Sequence, residues 1–195
     1  MSMTIRQMTT IFGHVLMGAL VTCGIAANAQ DKRPTVYLGV GELRGAVDRS
    51  VGGPHTLTGL ASIPTSMSGL LAPNLGSNTI DALYARSSSK GGSFTTVGVM
   101  LTQRVPLGVT PEDEHPEKAP YFGFGLGLGI TQATVKGTIG GQAVSFSKQA
   151  SSKLVRLCVG KQINEKLSAE FGYVLVPAVG ALKPNHVSLS VGIRL

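Results

Sequence analysis

Along residues 185–195 the chain alternates. Val187, Leu189, Val191, Ile193 and Leu195 fall on one face of an extended segment, and His186, Ser188, Ser190, Gly192 and Arg194 on the other. Successive side chains of a β-strand point to opposite faces, so the pattern predicts a strand with one wholly apolar side. The same reading runs upstream. Residues 166–176 set Leu167, Ala169, Phe171, Tyr173 and Leu175 against Ser168, Glu170 and Gly172, after a tight polar turn at 163–166. KLVRLCVGKQI, 153–163, sets Val155, Leu157 and Val159 against Arg156, Cys158, Gly160 and Gln162. PYFGFGLGLGI, 120–130, sets Phe122, Phe124, Leu126, Leu128 and Ile130 against four glycines, and TTVGVMLTQRV, 95–105, sets Val97, Val99 and Leu101 against Gly98, Met100, Thr102 and Arg104.

The N-terminal half is less regular. Residues 35–47 predict a first strand with Val36, Leu38 and Val40 outward, and 80–88 predict another. Between them the chain is rich in Gly, Pro and Ser and must hold a loop and one more strand, placed within 55–71 and made irregular by Pro64. The total is eight. No segment after Ala29 has a convincing helical period.

Two architectures accept such strands, a soluble sandwich and a membrane barrel, and the non-apolar faces decide between them. Strands of a soluble sheet turn Lys, Glu and Thr to water and avoid Gly. Here those faces carry Gly, Ser and Thr with single charges, which suits a narrow barrel interior. The opposite faces carry Phe, Leu, Val and Ile, which suits hydrocarbon. Segments of about 10 residues match a tilted membrane-crossing strand. The expected fold is therefore all-β, an eight-stranded antiparallel up-and-down transmembrane β-barrel. An even strand count places both chain ends on one side. Loops near 48–55, 87–93, 134–151 and 177–185 are then extracellular, and the turns near 72–79, 109–120 and 163–166 periplasmic.

Composition adds a compartment. A basic start with Arg6, an apolar run at 11–26, and the small-x-small triplet Ala27, Asn28, Ala29 predict a signal peptide over 1–29, leaving a barrel domain over 30–195. A rival reading makes Leu20 to Cys23 a lipoprotein signal, although Thr22 stands where a smaller residue is usual. Cleavage removes Cys23 and leaves only Cys158, so no internal disulfide can form. It also removes Arg6, leaving 16 of the 17 basic residues against 10 acidic ones. That balance favours anionic surfaces such as lipopolysaccharide or phospholipid head groups. The basic residues are dispersed and the chain is exported, so nucleic acid is not an expected partner. Of 26 glycines, 23 follow Ala29 without a collagen period.

RVPLG (104–108) followed by PYFGFGLGLGI resembles the corresponding stretch of small OmpA-type and opacity-type outer-membrane β-barrels, the porin-like outer-membrane barrel family. EFGYVLV (170–176) resembles their penultimate strand, and VSLSVGIRL their closing one. The resemblance covers the C-terminal half well and the N-terminal half in outline. It implies the outer membrane of a Gram-negative bacterium and assembly by the barrel-assembly machinery through the C-terminal strand. That family usually ends on Phe; this chain ends on Leu195, with Ile193 at the third position from the end.

Catalytic and metal chemistry finds little footing. His186 and Ser188 are similar to the His-x-Ser pair of the outer-membrane lipid A deacylases, but no acid follows Ser188 to orient the histidine, so no catalytic site is assigned. The alternating glycines 123, 125, 127 and 129 lack the helix that a dinucleotide fingerprint requires and read as close packing or lumen clearance. Glu112, Asp113, Glu114 and His115 form an acidic loop without turn-forming Gly, a poor cation site. Cys158 reads as a small lumen residue and His55 as a loop residue. No cofactor or metal is expected. Arg104, Arg156, Glu170 and Arg194, on strands 4, 6, 7 and 8, are expected to pair as a lumen charge network that either plugs the interior or gates a narrow ion path. The expected role is envelope integrity and surface interaction through loops 1 and 3, with outer-membrane lipids, lipopolysaccharide and host or surface ligands as partners. A narrow porin passing ions or small solutes, and a lipid-modifying enzyme, stand as alternatives.

Overall fold

An alternating strand can hide its apolar row from water, but its backbone groups still need partners, and a closed sheet supplies one on each side. A computed structural model describes residues 33–44, 55–66, 76–108, 118–139, 142–176, 178–179 and 183–195. Its strands are β1 (Thr35–Arg44), β2 (His55–Thr65), β3 (Ser77–Ser89), β4 (Gly92–Pro106), β5 (Tyr121–Ile139), β6 (Gln142–Gln162), β7 (Leu167–Leu175) and β8 (Asn185–Arg194). Each pairs with its neighbour in chain order, and β8 returns to β1 to close the barrel. The closing ladder is antiparallel and runs from Thr35 opposite Arg194 to Arg44 opposite Asn185. The signal-peptide reading and the acidic cluster at 112–115 lie outside the described residues.

The outer wall is apolar where the alternation requires it. Leu38, Leu57, Leu128 and Leu189 are each 60–70 % exposed and stand with Val40, Val99, Phe171 and Val191 in a belt around the barrel. Apolar surface on this scale is unfavourable in water and fits hydrocarbon. Pro64 lies two residues beyond Ser62, the last β2 residue opposite β1, so its missing N–H removes no bond from that ladder.

Several turns are tighter than the sequence suggests. The segment expected as loop 2 over 87–93 is strand on both sides of Lys90 and Gly91. His55 opens β2 and does not sit in a loop, and residues 77–79 belong to β3. The largest difference concerns loop 3. Residues 134–139 continue β5 and residues 142–151 continue β6 as a paired arm, from Thr134 opposite Ser147 out to Ile139 opposite Gln142. β4 accompanies β5 only to Val135, and β7 accompanies β6 only from Val155. The arm therefore stands beyond the barrel rim. Thr, Val, Ser and Phe supply its strand preference; the Gly and Gln in its sequence read as loop.

The interior is packed. Tyr37, Leu60, Leu83, Met100, Leu154, Val174 and Val176 form one buried apolar cluster. Leu43, Phe94, Ala133 and Val179 form a second nearer the arm, with Ala150 against it. The glycine row of β5 makes this possible. A Cβ on Gly125 would stand 2.6 Å from the Thr102 hydroxyl, and one on Gly129 would stand 2.7 Å from the Leu154 side chain. Between the two sequence readings of that row, close packing holds. Gly129→Val should destabilise the barrel by about 1–3 kcal/mol through overpacking. Gly137→Ala, in the arm where an added Cβ meets nothing within 4 Å, should leave it unchanged. Urea titration in detergent, read by electrophoretic heat-modifiability, measures both; equal stability of the two variants would contradict this packing.

Candidate functional site

Inward positions on four strands converge on one buried ionic cluster. Asp81 from β3, Arg104 from β4, Arg156 from β6 and Glu170 from β7 are all at most 7 % exposed. Arg104 Nη2 lies 3.3 Å from Glu170 Oε2 and 3.5 Å from Asp81 Oδ2. Arg156 Nη1 lies 3.4 Å from Asp81 Oδ2, and its Nη2 pairs closely with Glu170 Oε1. Each arginine thus bridges both carboxylates, and two positive charges balance two negative ones. Forks of five donors against acceptor-only carboxylates make the arrangement specific to Arg.

Hydroxyls complete the shell. Ser62 and Thr79 donate to Asp81 Oδ1 at 2.6 and 2.8 Å. Arg104 Nη1 donates to Thr79 Oγ1 at 2.5 Å and Nη2 to Ser62 Oγ at 3.1 Å. Tyr121 donates to Glu170 Oε2 at 2.9 Å, and its hydroxyl lies 3.5 Å from that of Tyr37. Both tyrosine rings pack against the Arg104 guanidinium, with centroids 5.8 Å away. Buried charges persist where they are paired and further hydrogen-bonded, and this cluster meets both conditions.

Three of the four residues expected in a network, Arg104, Arg156 and Glu170, come together here. Arg194 does not. It sits at the terminal end of β8, where its Nη2 donates to Gln162 Oε1 at 3.1 Å. The β7–β8 register sets Ser190 opposite Glu170 and leaves Arg194 further along β8, a displacement that chain order alone does not reveal. The residue missed by sequence reasoning is Asp81. Its signal was charge balance: three inward arginines were set against a single carboxylate, and Asp81 was the strand acid not yet assigned a face.

The other candidates are quiet. His186 and Ser188 both face the lumen and are buried. His186 Nδ1 lies 3.5 Å from the Pro184 carbonyl, and Nε2 meets no partner among the described residues. Among the described residues no carboxylate orients it, and the third member that nucleophilic catalysis requires is not found there. Cys158 is buried, with Arg156 Nη1 3.5 Å from its sulfur.

Below the ionic cluster, at the end that holds both chain ends of the barrel, the lumen opens into a vestibule of about 750 Å³. Arg104, Tyr37 and Tyr121 form its floor, and Arg33, Lys166 and Arg194 stand in its wall. Above the cluster the two apolar layers fill the bore.

A closed eight-stranded antiparallel sheet with a lipid-suited belt and a charge-neutral ionic cluster inside defines the class: a small eight-stranded β-barrel of the transmembrane type. Solved structures agree with that fold. The N-terminal β-barrel domain of Pseudomonas aeruginosa OprF matches with a TM-score of 0.52 at 8% identity, over 84% of this chain and 98% of that one. Ail, the attachment invasion locus protein of Yersinia pestis, matches with a TM-score of 0.55 at 13% identity, over 85% of this chain and 100% of that one. No protein-family model matches the sequence, and no curated protein does.

Removing one partner of the cluster leaves an uncompensated buried charge. Glu170→Leu should cost about 3–5 kcal/mol, and adding Arg156→Met in the same chain should recover a large part of that loss. A double-mutant cycle of urea midpoints measures the coupling; additive losses would show that the two side chains do not act as a pair.

Proposed function

We propose that the chain is a structural outer-membrane protein that contributes to envelope integrity and presents a surface for contact at its extracellular end, without conducting. The observation that carries this reading is the filled bore. A solute entering the vestibule meets the four-charge cluster, then Met100 and Leu154, then Phe94 and Val179. An eight-stranded interior is just wide enough for side chains to fill, and here they do. The two arginines and two carboxylates favour the plugging role over the gated path, because each arginine is held by both acids.

The arm gives the contact role its physical form. Phe146 is 65 % exposed on it, and Lys136 and Lys148 stand exposed with no acid between residues 134 and 153. In the orientation proposed here the chain ends are periplasmic and the arm extracellular. Lys153, opposite the belt residue Leu128, and Arg86, opposite Leu57, then lie at the upper border of the apolar belt. Cations at that height suit the phosphates of lipopolysaccharide. The apolar row of β8 is the face that the barrel-assembly machinery would read.

Purified protein in planar bilayers should give no single-channel openings, at neutral pH and moderate salt. Steady unitary openings would overturn the sealed-lumen reading. Replacing residues 134–151 by a two-residue turn should leave a heat-modifiable barrel in the outer membrane while reducing whole-cell binding to surfaces. Unchanged binding would remove the arm from the contact role.

A further inference from the structure

The vestibule has an uneven wall, and its charge is concentrated on one arc. Thr35 of β1 lies opposite Arg194 of β8, and Arg33 precedes Thr35 by two residues. The Arg194 backbone N–H donates to the Lys166 carbonyl at 2.8 Å, at the start of β7. Three cations on three adjacent segments therefore line the same stretch of wall, with Glu165 as the acid beside them. Among the described residues, none of the three forms an ion pair; Arg194 holds only the Gln162 amide. They contrast with Arg104 and Arg156 deeper in, whose charges are neutralised.

The rest of the wall is neutral and polar, with Ser62, Asn78, Thr79 and Ser168, and the half-buried Tyr121 lies on the floor beside the buried Tyr37. The Ser168 hydroxyl is shielded from solvent and has no hydrogen-bond partner among the described residues. At about 750 Å³ the vestibule falls within the range of small-molecule sites, and it is concave and preformed on rigid strands. Cations without an ion pair among the described residues on one side, hydroxyl and amide groups on the other and the Tyr121 phenol below suit a ligand that is both anionic and polyhydroxylated.

We propose that the vestibule binds a small anionic saccharide, a sugar carrying a phosphate or carboxylate. The anionic group sits against Arg33, Lys166 and Arg194, and the hydroxyls face Asn78 and Tyr121. This site lies at the terminal end, on the near side of the ionic cluster, so its occupancy is tested separately from conductance.

The test uses the mature chain in zwitterionic detergent micelles, with amide chemical shifts followed on titration up to about 10 mM ligand. Glucose 6-phosphate should shift residues of the vestibule saturably, glucose should not, and inorganic phosphate should bind about tenfold more weakly because it lacks the hydroxyl contacts. Arg33→Gln/Lys166→Gln/Arg194→Gln should weaken glucose 6-phosphate binding by at least about tenfold. Lys166→Gln alone, in an exposed turn where folding is safe, should weaken it about threefold. Arg44→Gln, at the opposite end of β1, should change nothing. Three outcomes overturn the proposal: no saturation, equal affinity of wild type and both vestibule variants, or inorganic phosphate binding as tightly as the sugar phosphate. Binding of short-chain phosphatidylglycerol in place of the sugar phosphate would also overturn it, identifying a lipid head-group site.

Discussion

In hydrocarbon no water stands ready to bond an N–H or a carbonyl, so each backbone group must find its partner within the protein. That constraint organises the molecule. A sheet can meet it only by having no edge, and β8 meets β1 over ten residue pairs, from Thr35–Arg194 to Arg44–Asn185. Closure at eight strands then fixes how much room lies inside. The bore admits side chains and little else. The small inward residues follow from that shortage of room, as does the glycine row of β5, where an added Cβ would strike Thr102 or Leu154.

The same narrowness shapes the electrostatics. Charges enclosed by a low-dielectric wall are tolerable only when their sum is zero and their remaining hydrogen-bonding capacity is met. Two arginines and two carboxylates drawn from four strands satisfy the first condition. Ser62, Thr79 and Tyr121 help satisfy the second. The cluster ties β3, β4, β6 and β7 together across the lumen, where the sheet ladders connect only neighbours. It therefore adds a transverse constraint to a structure otherwise held around its circumference.

Much of the fold was legible in the chain because the barrel imposes a period of two wherever lipid and lumen face opposite ways. The strands near 95–105, 120–130, 153–163, 166–176 and 186–195 stand where the alternation put them, within a few residues. Legibility failed where that contrast disappears. In the arm the apolar side chains Val135, Val144 and Phe146 fall on the inward parity, opposite to the outward row of the strands below, so the alternation changes phase and the Gly and Gln content reads as loop. The ionic cluster was legible in part. Arg104, Arg156 and Glu170 follow from inward parity, but register along the strands decides which of them lie at the same height. Register leaves Arg194 further along β8, and Asp81 takes the position beside the two arginines. Parity assigns a side chain to a face and says nothing of its level.

The arm differs from the barrel in one respect that bears on how such a protein changes over time. Within the belt, a strand cannot gain or lose a residue without turning its apolar row inward or breaking a ladder with two neighbours. Residues 137–139 pair with 142–144 and with no other strand. Adding a residue to each side of the arm lengthens it while every pairing below is kept, and water accepts whichever side chains result. The height to which the arm rises above the membrane is thus uncoupled from the membrane-crossing part. One can vary over many lengths while the other is held to a single one.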